Sequence, residues 1–317
     1  MLLGGASCGL ILGGGALGFT LVQDGTLPGK YTLATLDGAC GSAPAPPRGP
    51  RPARHAVSFY SAFRRRVVQM VTLLPAGAAR TGLPVVVALH GSDSNAAAMS
   101  RLMASAMAAT RERIAVVCPD GGDTYWHEHA DGDDPAGMIV HEVLPRLAAA
   151  GLDTSRVGLT GTSMGGYGAL LLAEQFSAGP GIGTGKRSAT DQPPAGRQGA
   201  RSEAGTVPAV AAVAAVSPAI FGSYAAAKAA NRNSFDGPAN FARYDVLAGA
   251  QFLRRVPTWI ACGSDDPFGP EAAALRTRLA GLTGHQTPGG TLPGCHDGAF
   301  WARNMPAALR FTAARLG

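Results

Sequence analysis

Apolar residues along this chain fall into short continuous runs, separated by longer stretches with the composition of helices. Each run is bounded by turn residues and is too short for an amphipathic helix. Continuous apolar runs are typical of strands that are covered on both faces, as in parallel sheets. The pattern therefore predicts five buried strands, at Pro84–Leu89, Ile114–Cys118, Val157–Leu159, Val207–Val216 and Pro257–Cys262.

Two further segments, Val57–Phe63 and Arg66–Leu74, alternate apolar and polar residues and are predicted to be antiparallel strands. The stretches between the strands are predicted to be helices. Strands that alternate with helices indicate an α/β fold, in which a mostly parallel central sheet carries helices on both faces. The predicted helices are Ala96–Thr110, Met138–Ala150, Gly166–Phe176, Ala239–Gln251, Glu271–Leu282 and Phe300–Leu316.

The chain is predicted to contain one folded domain, residues 55–317, preceded by two segments of different composition. Residues 1–30 are largely apolar and are interpreted as an export signal or membrane anchor whose start is truncated or misassigned, because no Lys or Arg precedes the apolar run. Residues 31–54 form a proline-rich linker, and residues 177–207 a low-complexity insertion. We therefore expect an exported protein that associates with a membrane, if at all, through residues 1–30.

Charge and cysteine content narrow the function classes. The formal charge is +6, but only 15% of the residues are charged, and the basic run Arg64–Arg66 lacks interleaved aromatic residues, so nucleic-acid binding is excluded. Four cysteines remain beyond the N-terminal segment, which is compatible either with two disulfides in three pairings or with small buried residues. These cysteines are Cys40, Cys118, Cys262 and Cys295.

The strongest candidate for chemistry is Ser163, in the sequence Gly161-Thr162-Ser163-Met164-Gly165. A G-x-S-x-G pattern is weak evidence in a chain with 44 glycines, so its context decides. A predicted strand precedes Ser163 and a predicted helix follows it, which is the setting of a nucleophile elbow. The alternative is an ordinary glycine-rich turn between a strand and a helix.

A serine nucleophile needs a base and an orienting acid, and in an elbow of this kind they follow in the order Ser, acid, His. Asp265 and Asp266 follow the strand that ends at Cys262, and we prefer Asp266 because of its G-x-x-D spacing from Gly263. The alternative for this carboxylate is a solvated Asp-Pro turn. His296 precedes the last predicted helix, whereas His285 falls early in the final connection, so His296 is the predicted base.

An oxyanion hole is predicted where the strand Pro84–Leu89 runs into His90-Gly91-Ser92. The backbone amide of Ser92, or alternatively that of Gly91, is expected to join the amide of Met164 in binding the developing negative charge. His90 is expected to be structural and to pack under the loop.

With these residues in order, the chain resembles the esterase D and mycolyltransferase type of α/β-hydrolase, in particular its exported bacterial esterases. The resemblance runs from about Ser58 to Phe311, without the insertion. It implies hydrolysis or transfer of an acyl group through an acyl-serine, on a small-molecule or lipid ester, without a cofactor. The motifs that carry it are residues 161–168 (GTSMGGYG), 120–127 (DGGDTYWH), 262–268 (CGSDDPF) and 294–297 (GCHD) followed by Phe300-Trp301.

The loop after the predicted strand Ile114–Cys118 holds His127, His129 and several aspartates, yet no metal site is predicted. The calcium-loop template fails at Pro135 and Ala136, and no distant Cys/His pair completes a zinc set. Tyr125 and Trp126 of this loop either line the substrate pocket or pack under the loop.

The segment Ser217–Arg254 is expected to form a small lid over the site. The function predicted from the sequence is that of a serine esterase. Its alternatives are an acyltransferase that uses a sugar or lipid acceptor and a catalytically silent envelope binding protein. The intact set of Ser163, Asp266 and His296 argues against the silent protein.

Overall fold

The computed structural model describes residues 38, 40–77, 81–178 and 207–317. Within them one eight-stranded sheet has the order β1-β2-β4-β3-β5-β6-β7-β8. The antiparallel pairs are β1 with β2 and β2 with β4, and all other neighbours are parallel. The strands are β1 Ala53–Ser61, β2 Arg66–Leu74, β3 Pro84–Leu89, β4 Ala115–Pro119, β5 Asp153–Thr162, β6 Ala209–Val216, β7 Thr258–Gly263 and β8 Gly289–Leu292.

Helices cover both faces of this sheet, because β3, β4 and β6 carry apolar residues at every position. Successive residues of β3 show this, since Val85 and Val87 belong to one buried cluster and Val86 to another. The helices are α1 Ala96–Thr110, α2 Pro135–Met138, α3 Leu144–Ala149, α4 Met164–Ala178, α5 Tyr224–Ala230, α6 Pro238–Arg243, α7 Val246–Gly249, α8 Gly269–Thr283 and α9 Gly298–Ala313. A π-helical turn, Ile139–Val143, joins α2 to α3, and a 3₁₀ helix, Ala250–Arg255, follows α7.

The two layers of helices contribute to different clusters. Met103 of α1 and Leu309 of α9 lie in the cluster with Val86. Leu170 of α4 lies in the cluster with Val85 and Val87. The predicted α/β architecture, with a mostly parallel sheet and helices on both faces, is therefore confirmed.

The region between β6 and β7, residues 217–257, departs most from the sequence prediction, and we call it the cap. The single predicted helix Ala239–Gln251 is wrong, since the chain forms α6, α7 and a 3₁₀ helix instead. The break has a local cause, because the carboxylate of Asp245 accepts hydrogen bonds from the amides of Leu247 and Ala248 and so begins a new helix.

The cysteines divide into one disulfide and two thiols. Cys40 is bonded to Cys295, whereas Cys118 and Cys262 are buried and free. Cys118 lies on β4 and Cys262 on β7, four strands apart, which corresponds to about 19 Å at the usual strand spacing. This separation is far beyond the reach of a disulfide. The hypothesis of two disulfides is therefore wrong, and the alternative of small buried residues describes Cys118 and Cys262.

The expectations for residues 1–30 and for most of the insertion at 177–207 lie outside the described residues. Among the helices that the structure does describe, none is both long and apolar enough to span a membrane.

Candidate active site

Ser163 occupies the single residue between β5 and α4 and has a left-handed backbone, with φ +55°. A non-glycine residue is strained in this conformation, which persists only where the surroundings fix it. Here the amide of Ser163 donates to the carbonyl of Val216 on β6, at 3.1 Å. The carbonyl of Ser163 accepts from the amides of Tyr167 and Ala219, each at 3.0 Å. Backbone hydrogen bonds from two directions therefore hold the side chain of Ser163 at the carboxyl edge of the sheet.

The glycines beside Ser163 are required by close backbone contacts. A Cβ atom on Gly165 would lie 2.0 Å from the carbonyl oxygen of Leu89, and one on Gly161 would lie 2.2 Å from the carbonyl oxygen of Gly165. Neither position tolerates a side chain unless the backbone moves. The strand, the turn and the helix can therefore approach one another this closely only with glycine at both positions.

The structure brings the three predicted catalytic side chains together. The Nε2 atom of His296 lies 2.9 Å from Oγ of Ser163. Its Nδ1 atom lies 2.9 Å from Oδ2 of Asp266. In the neutral imidazole that fits these contacts, Nδ1 donates to the carboxylate and Nε2 accepts from the serine hydroxyl. This is the proton arrangement that a general base requires before the reaction.

Asp266 is the carboxylate that orients the imidazole. Its other oxygen, Oδ1, accepts from the amide of Phe268 at 2.9 Å. Burial raises the pKa of Asp266, but the hydrogen bond and charge of His296, together with the Phe268 amide, outweigh burial and keep the pKa below its ordinary value. The neighbouring Asp265 instead accepts a hydrogen bond from the hydroxyl of Ser264, at 2.8 Å. Of the two aspartates that the sequence left in competition, Asp266 is the one bonded to His296.

The loops that carry the acid and the base are joined by their backbones. The amide of Asp265 donates to the carbonyl of Gly294, at 2.9 Å. A Cβ atom on Gly263 would lie 2.3 Å from the same carbonyl oxygen, so only glycine fits there. Cys295, directly before His296, is bonded to Cys40, 255 residues earlier in the chain. Both loops are therefore fixed next to the end of β7.

Of the residues predicted to form the oxyanion hole, Gly91 and Met164 lie next to Ser163. A Cβ atom on Gly91 would lie 3.2 Å from Cβ of Ser163, which shows how closely the turn after β3 approaches the serine. Met164 is the first residue of α4, so its amide has no acceptor within the helix. His90 is buried, with Nδ1 2.8 Å from the carbonyl oxygen of Gly91 and Nε2 accepting from the amide of Gly121 at 2.9 Å. This agrees with the structural role expected for His90.

Trp126 packs under its loop and does not line a pocket. Its side chain is fully buried, and its ring lies so close to Gly121 and Gly168 that a Cβ atom on either glycine would meet it at 2.5 Å. Its indole nitrogen donates to the carbonyl of His90, at 3.2 Å. Of the two interpretations of Trp126, packing describes the structure, because the glycines opposite the ring leave space that only a large side chain fills.

Tyr125 is also buried, within an aromatic group that the sequence analysis did not identify. Its ring centroid lies 5.6 Å from those of Tyr167 and Phe221 and 5.8 Å from that of Phe235. Phe221 in turn contacts Phe268, whose ring lies 5.0 Å from that of His296. No periodic signal in the sequence links these aromatic rings, since they come from five separate loops and helices. Tyr125 is therefore connected to His296 through the rings of Phe221 and Phe268.

The two histidines of the loop after β4 contact protein groups. His127 lies with Nε2 2.9 Å from the carbonyl oxygen of Ser234, and His129 with Nδ1 2.8 Å from the carboxylate of Asp236. In the part of the chain that the structure describes, the one group of potential ligands at metal-binding distance is Cys40, Cys295 and Asp297. Two of its three members form the disulfide, so this group does not provide a ligand set.

Comparison with known proteins agrees with this geometry. Residues 62–178 match the family described as "Putative esterase". No curated protein matches the sequence. Together with the structural neighbours, the family match confirms the resemblance inferred from the motifs.

Solved structures extend the likeness to most of the chain. An S-formylglutathione hydrolase from Agrobacterium tumefaciens superposes with a TM-score of 0.60 at 19% identity, covering 84% of this chain and 96% of its own. A thermostable esterase from Pseudomonas putida gives 0.62 at 16% identity, with 92% and 91% covered. MPT51 from Mycobacterium tuberculosis gives 0.59 at 14% identity, with 84% and 99% covered. At these identities the likeness establishes the fold, which is that of the α/β-hydrolases.

Proposed function

We propose that this α/β-hydrolase, which matches the esterase family over residues 62–178, cleaves carboxylic esters through an acyl-serine intermediate. The observation that carries the proposal is the position of the His296 ring. It lies 2.9 Å from the hydroxyl of Ser163 on one side and 2.9 Å from the carboxylate of Asp266 on the other. A base that is oriented in this way can remove the proton of the serine hydroxyl and so turn a weak nucleophile into an effective one.

In the first half of the reaction, Oγ of Ser163 attacks the ester carbonyl carbon while Nε2 of His296 takes the hydroxyl proton. Asp266, ionised at neutral pH, stabilises the imidazolium and keeps the ring oriented. Collapse of the tetrahedral intermediate breaks the bond to the alcohol oxygen, which receives the proton from His296. The acyl group remains on Ser163 as an ester.

In the second half, water attacks the acyl-serine and His296 again acts as the base, so that the acid and free Ser163 are released. In both tetrahedral intermediates the negative oxygen is held by the amides of Met164 and of Ser92 or Gly91. The close approach of Gly91 to Ser163 supports this assignment. One such amide contributes about 3 kcal/mol to transition-state stabilisation.

An acceptor alcohol in place of water would make the same machinery an acyltransferase. Product analysis distinguishes the two, because added sugar or lipid alcohols then yield a new ester in place of the free acid. We further propose that the protein is exported. The Cys40–Cys295 disulfide supports this location, since disulfides form and persist in oxidising compartments.

Labelling with a fluorophosphonate probe tests the nucleophile. The wild-type protein is expected to be labelled and to release p-nitrophenol from short acyl esters, and Ser163→Ala is expected to lose both properties. The pair Asp266→Asn and Asp265→Asn then tests the acid. Asp266→Asn is expected to lower kcat by about 10⁴-fold, because the imidazole takes the wrong tautomer. Asp265→Asn serves as the matched control and should stay within about twofold of the wild type.

Two outcomes would overturn the proposal. Labelling that persists in Ser163→Ala places the nucleophile elsewhere. A wild-type protein that is folded but neither labels nor turns over any short activated ester is the catalytically silent binding protein instead.

A further inference from the structure

The hydroxyl of Ser92 joins three segments that are far apart in the chain. It donates to Oδ1 of Asp123, in the loop after β4, at 2.7 Å. It accepts a hydrogen bond from Nδ2 of Asn231, in the cap, at 3.1 Å. With one donor bond and one acceptor bond made, the hydroxyl has a defined orientation. The turn after β3 is therefore attached both to the β4 loop and to the cap.

Asp123 also holds the residue that follows Ser92. The same oxygen, Oδ1, accepts from the backbone amide of Asp93 at 2.9 Å. Asp93 has a left-handed backbone, with φ +52°, a conformation that costs energy for a residue other than glycine. One carboxylate oxygen thus fixes the turn through the side chain of Ser92 and through the main chain of Asp93.

Hydrogen bonds within the cap fix Asn231 independently of its contact with Ser92. Its backbone amide donates to the carbonyl of Ala227 at 2.9 Å, and its side-chain oxygen accepts from the amide of Asn233 at 2.9 Å. The hydroxyl of Ser234 donates to its backbone carbonyl at 2.7 Å. The amide nitrogen of the Asn231 side chain is therefore directed at Ser92 by the local structure of the cap.

We propose that Asp123 and Asn231 are positioning residues for the oxyanion hole and act through the hydroxyl of Ser92. The inference rests on the proposed function, since it requires the turn after β3 to supply an oxyanion donor. Such an amide must lie within about 3 Å of the developing negative oxygen, and a displacement of about 1 Å lowers the rate severely. The turn Gly91-Ser92-Asp93 lies beyond Leu89, the last residue of β3 that pairs with β5, so the two hydrogen bonds to the Ser92 hydroxyl supply contacts that hold it in place.

Kinetics on a short p-nitrophenyl ester test the role of Asp123. Asp123→Ala is expected to lower kcat by about 30-fold, with KM within about twofold of the wild type, because the donor is lost mainly in the transition state. Asp123→Asn keeps an oxygen acceptor for Ser92 and Asp93 and is expected to retain at least about a third of kcat. The exposed Asp131 of the same loop provides the control Asp131→Ala, which should leave kcat unchanged.

A double-mutant cycle tests the role of Asn231. Asn231→Ala is expected to lower kcat by about fivefold in the wild type and to have no further effect in a Ser92→Ala background, because both changes remove the same contact. Asn233→Ala, at an exposed neighbouring position, is the control for the cap. Affinity for a trifluoromethyl ketone, which forms a tetrahedral adduct with the serine, should fall in parallel with kcat/KM across the series.

The proposal is overturned if folded Asp123→Ala keeps kcat within about twofold, or if Asp123→Asn loses as much activity as Asp123→Ala. It is equally overturned if Asn231→Ala and Ser92→Ala lower kcat additively. Should Asp123→Ala fail to fold, the Ser92–Asn231 cycle decides alone. Failure of the proposed function is distinguishable, since it shows as persistent probe labelling of Ser163→Ala or as an inactive wild type.

Discussion

The turn around Ser163 is held by main-chain hydrogen bonds and glycine contacts, whereas the cap is attached to the β4 loop by side chains. Around Ser163, the close contacts are made by backbone atoms of β3, β5, β6 and α4 and by the amide of Ala219. Between the cap and the loop, by contrast, His129 binds Asp236, and His127 binds the carbonyl of Ser234. The first arrangement allows almost no sequence variation. The second arrangement depends on the particular side chains that face one another between the cap and the β4 loop.

Ring stacking strengthens the attachment of the cap. The ring of His127 lies between two others, with centroid distances of 4.4 Å to both His129 and Tyr244. It also stacks on Phe235, at 5.0 Å. Stacked rings tolerate small sliding movements, whereas the turn at Ser163 has no room for even a methyl group at Gly161 or Gly165. We therefore expect the cap to tolerate substitutions that the turn at Ser163 does not.

The largest effect is expected from Gly165→Ala, in the turn at Ser163. The new Cβ atom would lie 2.0 Å from the carbonyl oxygen of Leu89 and 2.6 Å from that of His90, so the backbone must move. We expect the free energy of unfolding to fall by about 3 kcal/mol or more, with loss of esterase activity. Urea unfolding followed by circular dichroism measures the change.

Gly281→Ala is the matched control for this substitution. Gly281 lies in α8 with no atom within 4 Å of the position of a Cβ, so alanine there should stabilise the protein by about 0.5–1 kcal/mol. If Gly165→Ala were as stable as the wild type, the backbone contact at Ser163 would not constrain the turn as described.

An effect of intermediate size on the free energy of unfolding is expected when the pH is lowered, because His127 packs between the β4 loop and the cap. Burial, and next the neighbouring His129, lower the pKa of His127 to about 4, against 6.5 in the unfolded chain, and this outweighs its two carbonyl contacts. Between these values the unfolded chain binds a proton that the folded protein does not. The contribution of His127 to the free energy of unfolding is therefore fully present above pH 6.5 and is lost as the pH falls toward 4. Between pH 7 and pH 5 this loss amounts to about 2 kcal/mol.

Urea unfolding at pH 7 and pH 5 measures this loss in the wild type and in His127→Phe, which keeps a ring in the stack but does not titrate. The variant should lose about 2 kcal/mol less than the wild type over this interval. His55→Gln, at an exposed position of β1, should behave like the wild type. Equal losses in the wild type and His127→Phe would show that His127 does not carry the pH dependence.

The smallest effect is expected at the rim of the cap. Glu128 lies 3.6 Å from Arg243, and their side chains are 47% and 36% exposed. Solvent screens such a pair, so Glu128→Gln should change the free energy of unfolding by less than about 0.5 kcal/mol. A loss above 1 kcal/mol in urea unfolding would mean that ionic contacts, rather than the buried rings, hold the cap.

This contrast also explains which features could be predicted from the sequence. Ser163 and His296 could be assigned because the turn demands glycines at set positions and because the chain order of the catalytic residues follows from the sheet. The choice of Asp266 rested on spacing alone, yet it corresponds to the aspartate bonded to His296. These features are local in sequence or fixed by topology.

Side-chain contacts between distant parts of the chain could not be predicted, because no local sequence pattern indicates them. The contact of Asn231 with Ser92 spans 139 residues, and nothing in the composition near either residue indicates it. The helix predicted at 239–251 failed because one capping carboxylate, Asp245, outweighs the helix propensity of its neighbours. The sequence allowed Trp126 either to line a pocket or to pack under its loop, and only the position of Gly121 and Gly168 beside its ring distinguishes the two.

The bond between Cys40 and Cys295 has a consequence for proteolysis of the intact protein. A protease that cuts between residue 40 and the start of β1 at Ala53 does not separate the pieces, because the upstream fragment stays attached beside His296. Electrophoresis would then show one band without a reducing agent and two bands with it. A fragment mass measured only after reduction would misplace the first residue of the functional protein.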